Sequence, residues 1–197
     1  MHVQFWLVPT DGETLEEALN NTQVIIQEWI ETAKELNRNI PVPHRELKHQ
    51  TNPSIFDVAE YVLQKTGSIT AMALEKLTYY CLAWSLGWYS KSLFPQGFEA
   101  WAKGPVNREL FHKHQGKWIV HPGDFAENHN FSEDEKYIMD SVLDIYGSFD
   151  AEWLSRLTHF EDPWKLTRNG LSDNASCNRP ISNELIARYY GQSVINS

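Results

Sequence analysis

Two periods of hydrophobic and polar residues run along this chain. Val3 to Val8 is a short β-prone run, closed by Pro9 and the turn pair Asp11-Gly12. Past it the spacing changes to threes and fours. Leu15, Ala18, Leu19, Thr22, Ile26, Trp29, Ile30 and Ala33 form one stripe, and Thr14 with Glu17 makes a capping box at its start. The pattern predicts an amphipathic helix ending near Asn37, ahead of Ile40-Pro41-Val42-Pro43. Residues 44–53 are polar, lack a period and end in Asn-Pro, which marks a linker. One strand and one helix cannot bury themselves, so residues 1–45 must dock on their own chain, on a second copy through the strand, or on a partner.

From Ser54 onward the helical period dominates. Ser54 caps a predicted helix with the face Ile55, Val58, Ala59, Val62 and Leu63, stopped at Gly67. Thr70 caps the next, whose inward positions are Ala73, Leu74, Leu77, Tyr80, Cys81, Trp84 and Trp88. Tyr79 and Leu82 are also large, so this helix is apolar over most of its girth and belongs inside a domain. Phe98 to Trp101 reads as extended. Gly104 permits a turn and Pro105 suits a first helical position, which predicts a short helix from Val106 to His114. Trp118 to Phe131 reads as loop. Ser132 with Glu135 opens another helix through Tyr146, Asp150 caps one carrying Trp153, Leu154 and Leu157, and Pro163 starts a further turn. Residues 169–180 read as a flexible loop. Ser182 caps the last helix, with Ile181 and Ile186 as its hydrophobic staple and Leu185, Tyr189 and Tyr190 on its buried face. Trp84, Trp88, Trp153 and Trp164 are assigned to the core. The fold class is mainly α: a compact helical domain over residues 54–195, preceded by a short strand and an amphipathic helix.

Composition narrows the function. The chain has 197 residues, room for one good domain and an appendage. Aromatic content is 13%, with eight Trp, a large stock of core and interface anchors. The net charge of −9 and the absence of a basic stripe argue against direct nucleic-acid binding. No apolar run reaches the length of a membrane span, so no membrane partner is expected. Two separate Cys and a start without a basic n-region point to a reducing cytoplasm.

Candidate chemistry is sparse. There is no Gly-rich phosphate loop, nucleophile elbow or H-E-x-x-H motif. His112 and His114, two apart on a helix, face different ways, and His121 and His129 have no completing ligands, so neither metal nor cofactor is expected. Cys81 reads as a small buried hydrophobe. His159 beside Glu161 and Asp162 is the one candidate for a small hydrolase or transferase, but it has no nucleophile beside it. Its expected role is to pin the Thr158–Trp164 turn through backbone hydrogen bonds. No catalytic residue is therefore assigned. Glu99, Lys103, Asn107 and Arg108 gather around the Gly104 turn, as a binding mouth or as solvated charges. Trp101, Lys103, Arg108, Phe111 and His159 are the residues expected near a partner surface.

Two family resemblances follow from quoted residues. Asp11-Gly12-Glu13-Thr14-Leu15-Glu16-Glu17-Ala18-Leu19 with Asn39-Ile40-Pro41-Val42-Pro43 resembles the middle of HicB-type antitoxins. Over about 140 residues, within 54–195, the chain resembles the Panacea, or SocA-like, antitoxin domain. The carriers are Lys76-Leu77, Tyr79-Tyr80, Trp84, Leu93-Phe94, Glu99-Ala100-Trp101, Gly104-Pro105-Val106, Leu110, Ser132 to Glu135, Leu154, Leu157-Thr158-His159, Pro163-Trp164, Ile181-Ser182 and Glu184-Leu185. The second resemblance implies a helical antitoxin domain that binds and neutralises a cognate protein toxin of a type II toxin–antitoxin system, fused to a variable N-terminal piece. A proteolytic adaptor or a general protein-interaction module is the alternative it leaves open.

Overall fold

The computed structural model describes residues 53–125 and 129–195, together with residue 32. The strand, helix and linker expected over residues 1–52 lie outside the described residues, apart from residue 32, which is helical. The elements follow in the order α1 (Ile55–Thr66), β1 (Ile69–Thr70), α2 (Ala71–Tyr89), β2 (Phe98–Trp101), β3 (Gly104–Val106), α3 (Arg108–His114), β4 (Ile119–Val120), α4 (Glu133–Tyr146), α5 (Ala151–Phe160), α6 (Asp162–Arg168), β5 (Pro180–Ile181) and α7 (Asn183–Ile195). The architecture is mainly α, with two small sheets among the described residues.

Local chemistry starts most of these helices. Ser54 and Ser132 form reciprocal capping boxes with Asp57 and Glu135. Thr70, Asp150 and Ser182 each accept from a backbone N–H three residues on. Each cap satisfies a donor that the first helical turn would otherwise leave bare.

Helix α2 is the axis of the domain. Ala71 and every residue from Ala73 to Tyr89 are buried, and α7, α4, α1 and α5 pack around it. Its closest neighbour is α7. A Cβ on Gly87 would stand 2.7 Å from Tyr190 Cβ and 2.9 Å from the Tyr190 carbonyl carbon, so the two backbones meet where no side chain fits. Beside this crossing lies an aromatic cluster. Tyr80 stacks on Tyr146 at 4.1 Å, Trp84 meets Tyr190 edge-on at 5.2 Å, and Trp84 Nε1 donates to the Tyr146 hydroxyl at 3.1 Å. Cys81 is buried in mid-helix and its thiol is pushed far up by desolvation, which leaves it inert.

The small sheets clamp the loops. β2 is central in the order β3-β2-β5, with Ala100 opposite Pro105 and Phe98 opposite Ile181. The helix expected from Val106 therefore begins later: Pro105 lies in β3, and Asn107 is the cap, accepting from Leu110 N at 2.9 Å. Pro105 fits there because β3 is an edge strand, where a missing N–H costs little. The stretch expected to be loop from Trp118 contributes β4, paired with β1 as Ile69↔Val120 and Thr70↔Ile119.

Buried charges hold the connections in place. Glu60 accepts from the backbone N–H groups of Gly123 and Phe125. Arg168, 1% exposed, donates to the carbonyls of Ala100, Ser172, Asp173 and Ala175. The loop expected to be flexible past residue 169 is thus wrapped around one guanidinium. Trp84, Trp88 and Trp164 are in the core as expected, whereas Trp153 is only half-buried: it faces Phe149 at the start of α5. Leu185 and Tyr189 are likewise half-buried, leaving Ile186 and Tyr190 as the inner face of α7.

Candidate partner-binding site

The N-terminal half of α2, the β2–β3 hairpin and α3 enclose a cleft of about 290 Å³. Its apolar wall comes from Ala71, Met72, Val106, Trp101 and Phe111. The hairpin gives it shape. Gly104 has φ +100°, a conformation open to glycine, and a Cβ there would lie 2.6 Å from Thr158 Oγ1 and 2.7 Å from Lys76 Cε. The turn is thus pressed flat against α2 and α5, and Ser155 Oγ holds it by donating to the Lys103 carbonyl at 3.0 Å.

Trp101 and Phe111 meet at 4.9 Å on one wall. Trp101 Nε1 donates to Glu99 Oε2 at 2.7 Å, and Arg108 grips both Glu99 oxygens at 3.0 and 2.9 Å. Such a forked pair fixes orientation. The Arg108 guanidinium, with the Trp101 indole, holds the Glu99 carboxyl below its ordinary range. Lys103 and Lys117 are exposed at the mouth. Beyond Lys117 stands Trp118, 79% exposed, its carbonyl accepting from Ala71 N at 3.0 Å.

The inner wall holds ions that sequence reasoning missed. Lys76 is fully buried, and Nζ donates to the Pro105 carbonyl at 2.8 Å. Burial lowers its ammonium to about 8. Glu75, also buried, accepts from Asn107 N at 2.9 Å and hydrogen bonds His114 Nε2 at 2.8 Å. His114 is therefore turned inward and His112 outward, as their spacing requires. A signal for Lys76 was present: it falls three after Ala73 and four before Tyr80, on the inward stripe of α2. The long-range pairing of Glu75 carried no such signal.

The five expected partner residues divide unevenly. Trp101, Lys103 and Phe111 line the cleft, and Arg108 stands at its edge through Glu99. Asn107, expected in the same polar group, is buried as the α3 cap and donates to the Gly97 carbonyl. His159 lies apart. It makes no backbone hydrogen bond of the kind expected; its ring stacks on Trp164 at 3.9 Å with planes 7° apart, because the α5–α6 junction folds Trp164 back beneath it. Trp164 Nε1 donates to the Trp101 carbonyl at 2.9 Å, so His159 reaches the cleft only through that indole. Burial lowers the His159 pKa against the pull of Asp173, 3.8 Å away. Among the described residues no group of His, Cys, Asp and Glu forms a metal-binding cluster. No helix among them is long and apolar enough to cross a membrane.

Comparison with known proteins adds one finding. Residues 74–165 match the family model described as the antitoxin SocA-like, Panacea domain. No curated protein and no solved structure matches the chain. The matched segment runs from α2 to the middle of α6 and so contains most of the cleft. The HicB-like resemblance of the N-terminal segment has no counterpart among these matches.

Proposed function

We propose, for a chain whose residues 74–165 carry a SocA-like Panacea domain, that it is the antitoxin of a type II toxin–antitoxin system and neutralises a protein toxin by binding it directly. The family match carries this reading. The cleft supports it: aromatic groups on a rigid frame, oriented by a forked ion pair, are the usual makings of a binding hot spot. The protein acts by occlusion, without catalysing a reaction, and works in the cytoplasm.

The test is co-expression with the neighbouring reading frame. The product of that frame is expected to arrest growth alone, to be harmless beside this protein, and to co-purify with it. Persistent arrest beside well-expressed protein would sink the proposal. Rescue that disappears in a protease-deficient host would move the assignment to a proteolytic adaptor. His159→Ala is expected to keep protection intact; loss of protection with binding retained would restore a catalytic role. Deleting residues 1–50 asks whether the N-terminal segment contributes to neutralisation.

A further inference from the structure

The charge of the cleft runs against the charge of the chain. The whole sequence carries −9, yet three Lys and one Glu line this cavity. The single acid is already engaged, holding the Asn107 N–H and His114. Lys117 pairs with Asp124 at 2.7 Å, while Lys103 has no ionic partner among the described residues. Lys76 is shut in behind the wall, bonded to the Pro105 carbonyl and beside the Glu75 carboxylate. An entering carboxylate would give Lys103 the partner it lacks.

The size sets a second limit. About 290 Å³ is at or below the lower bound of pockets for drug-sized ligands, and suits one or two side chains. The wall asks for an apolar body and Lys103 for a carboxylate. Trp118, next to the rim and almost wholly exposed, offers a flat surface for the chain that delivers them.

We propose that this cleft takes an acidic, apolar segment of the protein partner, seating one hydrophobic side chain against Trp101 and Phe111 with a neighbouring carboxylate at Lys103. The identity of the occupant rests on the antitoxin reading above; the preference for an apolar acid does not. A basic partner drawn by net charge would bind elsewhere on the surface.

The probe is 3-phenylpropionate, titrated into the full chain and followed by ligand-observed NMR, beside its uncharged amide, phenethylamine and a short single-stranded DNA. The acid is expected to bind at least fivefold more tightly than the amide, and the amine not at all. Lys103→Gln removes that preference. Phe111→Ala abolishes binding of both acid and amide while the fold, checked by circular dichroism, is kept. Lys165→Gln, outside the cleft, changes nothing. Equal binding of acid and amide, indifference to K103Q and F111A, or displacement of the acid by DNA would overturn the proposal. With a neutralised toxin in hand, the K103E/F111A double variant is expected to weaken the complex at least tenfold. An unweakened complex would overturn the occupant and leave neutralisation standing. Failure of the unaltered chain to neutralise strikes the antitoxin reading alone.

Discussion

The two halves of α2 are equally buried and differently built. Toward its C-terminus Tyr80, Trp84 and Gly87 face α4 and α7 in a sealed interior. There Glu161, between α5 and α6, accepts from Tyr190 at 2.8 Å and Tyr80 at 3.3 Å. Desolvation raises that carboxyl to about 8, so its neutral form fits a ring of hydroxyls without a counter-ion. Toward the N-terminus Glu75 and Lys76 stand buried in the inner wall of the cleft. The sealed half turns its one acid into a neutral hydrogen-bonding group. The open half keeps a buried cation, held on the Pro105 carbonyl beside an acid. Burial by itself therefore says little about what an ionisable group does; what stands next to it decides.

The hardest way to break this contrast is Gly87→Val. A side chain has no room at the α2–α7 crossing, and forced overpacking there is expected to cost about 3 kcal/mol or more in urea denaturation. Such a loss, with the cleft half untouched by design, would show that the sealed half carries the stability. A wild-type midpoint would show that the helices part easily.

The acid sharpens the comparison through pH. Glu161 has a folded pKa of about 8 against an ordinary 4.5, so between those values the folded chain holds a proton that the unfolded chain has lost. Its contribution is complete below pH 4.5 and drains away as pH rises through 8, with a slope of up to about 1.4 kcal/mol per pH unit. Glu161→Gln is expected to flatten that fall in a series of denaturation curves. An unchanged slope would place the titration elsewhere.

Lys76 has the opposite sign in a different window. Its folded pKa of about 8 lies below the ordinary 10.5, so between them the unfolded chain binds the extra proton and stability rises with pH. Lys76→Met is expected to remove that rise and to leave the chain as stable or more stable at pH 7, since buried ions are often improved upon by apolar groups. Destabilisation by this change would mean that the bond to Pro105 outweighs desolvation.

The smallest effect is expected at Arg108. Its pair with Glu99 is exposed, and Arg108→Ala should leave the thermal midpoint nearly unmoved, since exposed pairs gain little. A clear drop would show that the rim stabilises the hairpin.

What the sequence made legible was local. Ser54, Thr70, Ser132, Asp150 and Ser182 announce their helices because a cap involves residues only three apart. The burial of α2 was legible because it is apolar over most of its girth. The start of α3 was not, since Pro105 suits a helix start and an edge strand equally and only pairing with Ala100 decides. Within the cleft, Trp101, Lys103 and Phe111 stood out by type and proximity. Glu75 with His114, and His159 on Trp164, did not, because each contact depends on how separate elements are laid together.

One consequence concerns Arg168. All of its hydrogen bonds end on main-chain oxygens, three of them in the loop at Ser172, Asp173 and Ala175. A grip of that kind is blind to the letters written on the loop, because every residue offers the same carbonyl. Residues 172–176 are thus a stretch where substitutions can accumulate, or an epitope can be inscribed, while the path of the chain stays where one buried side chain put it.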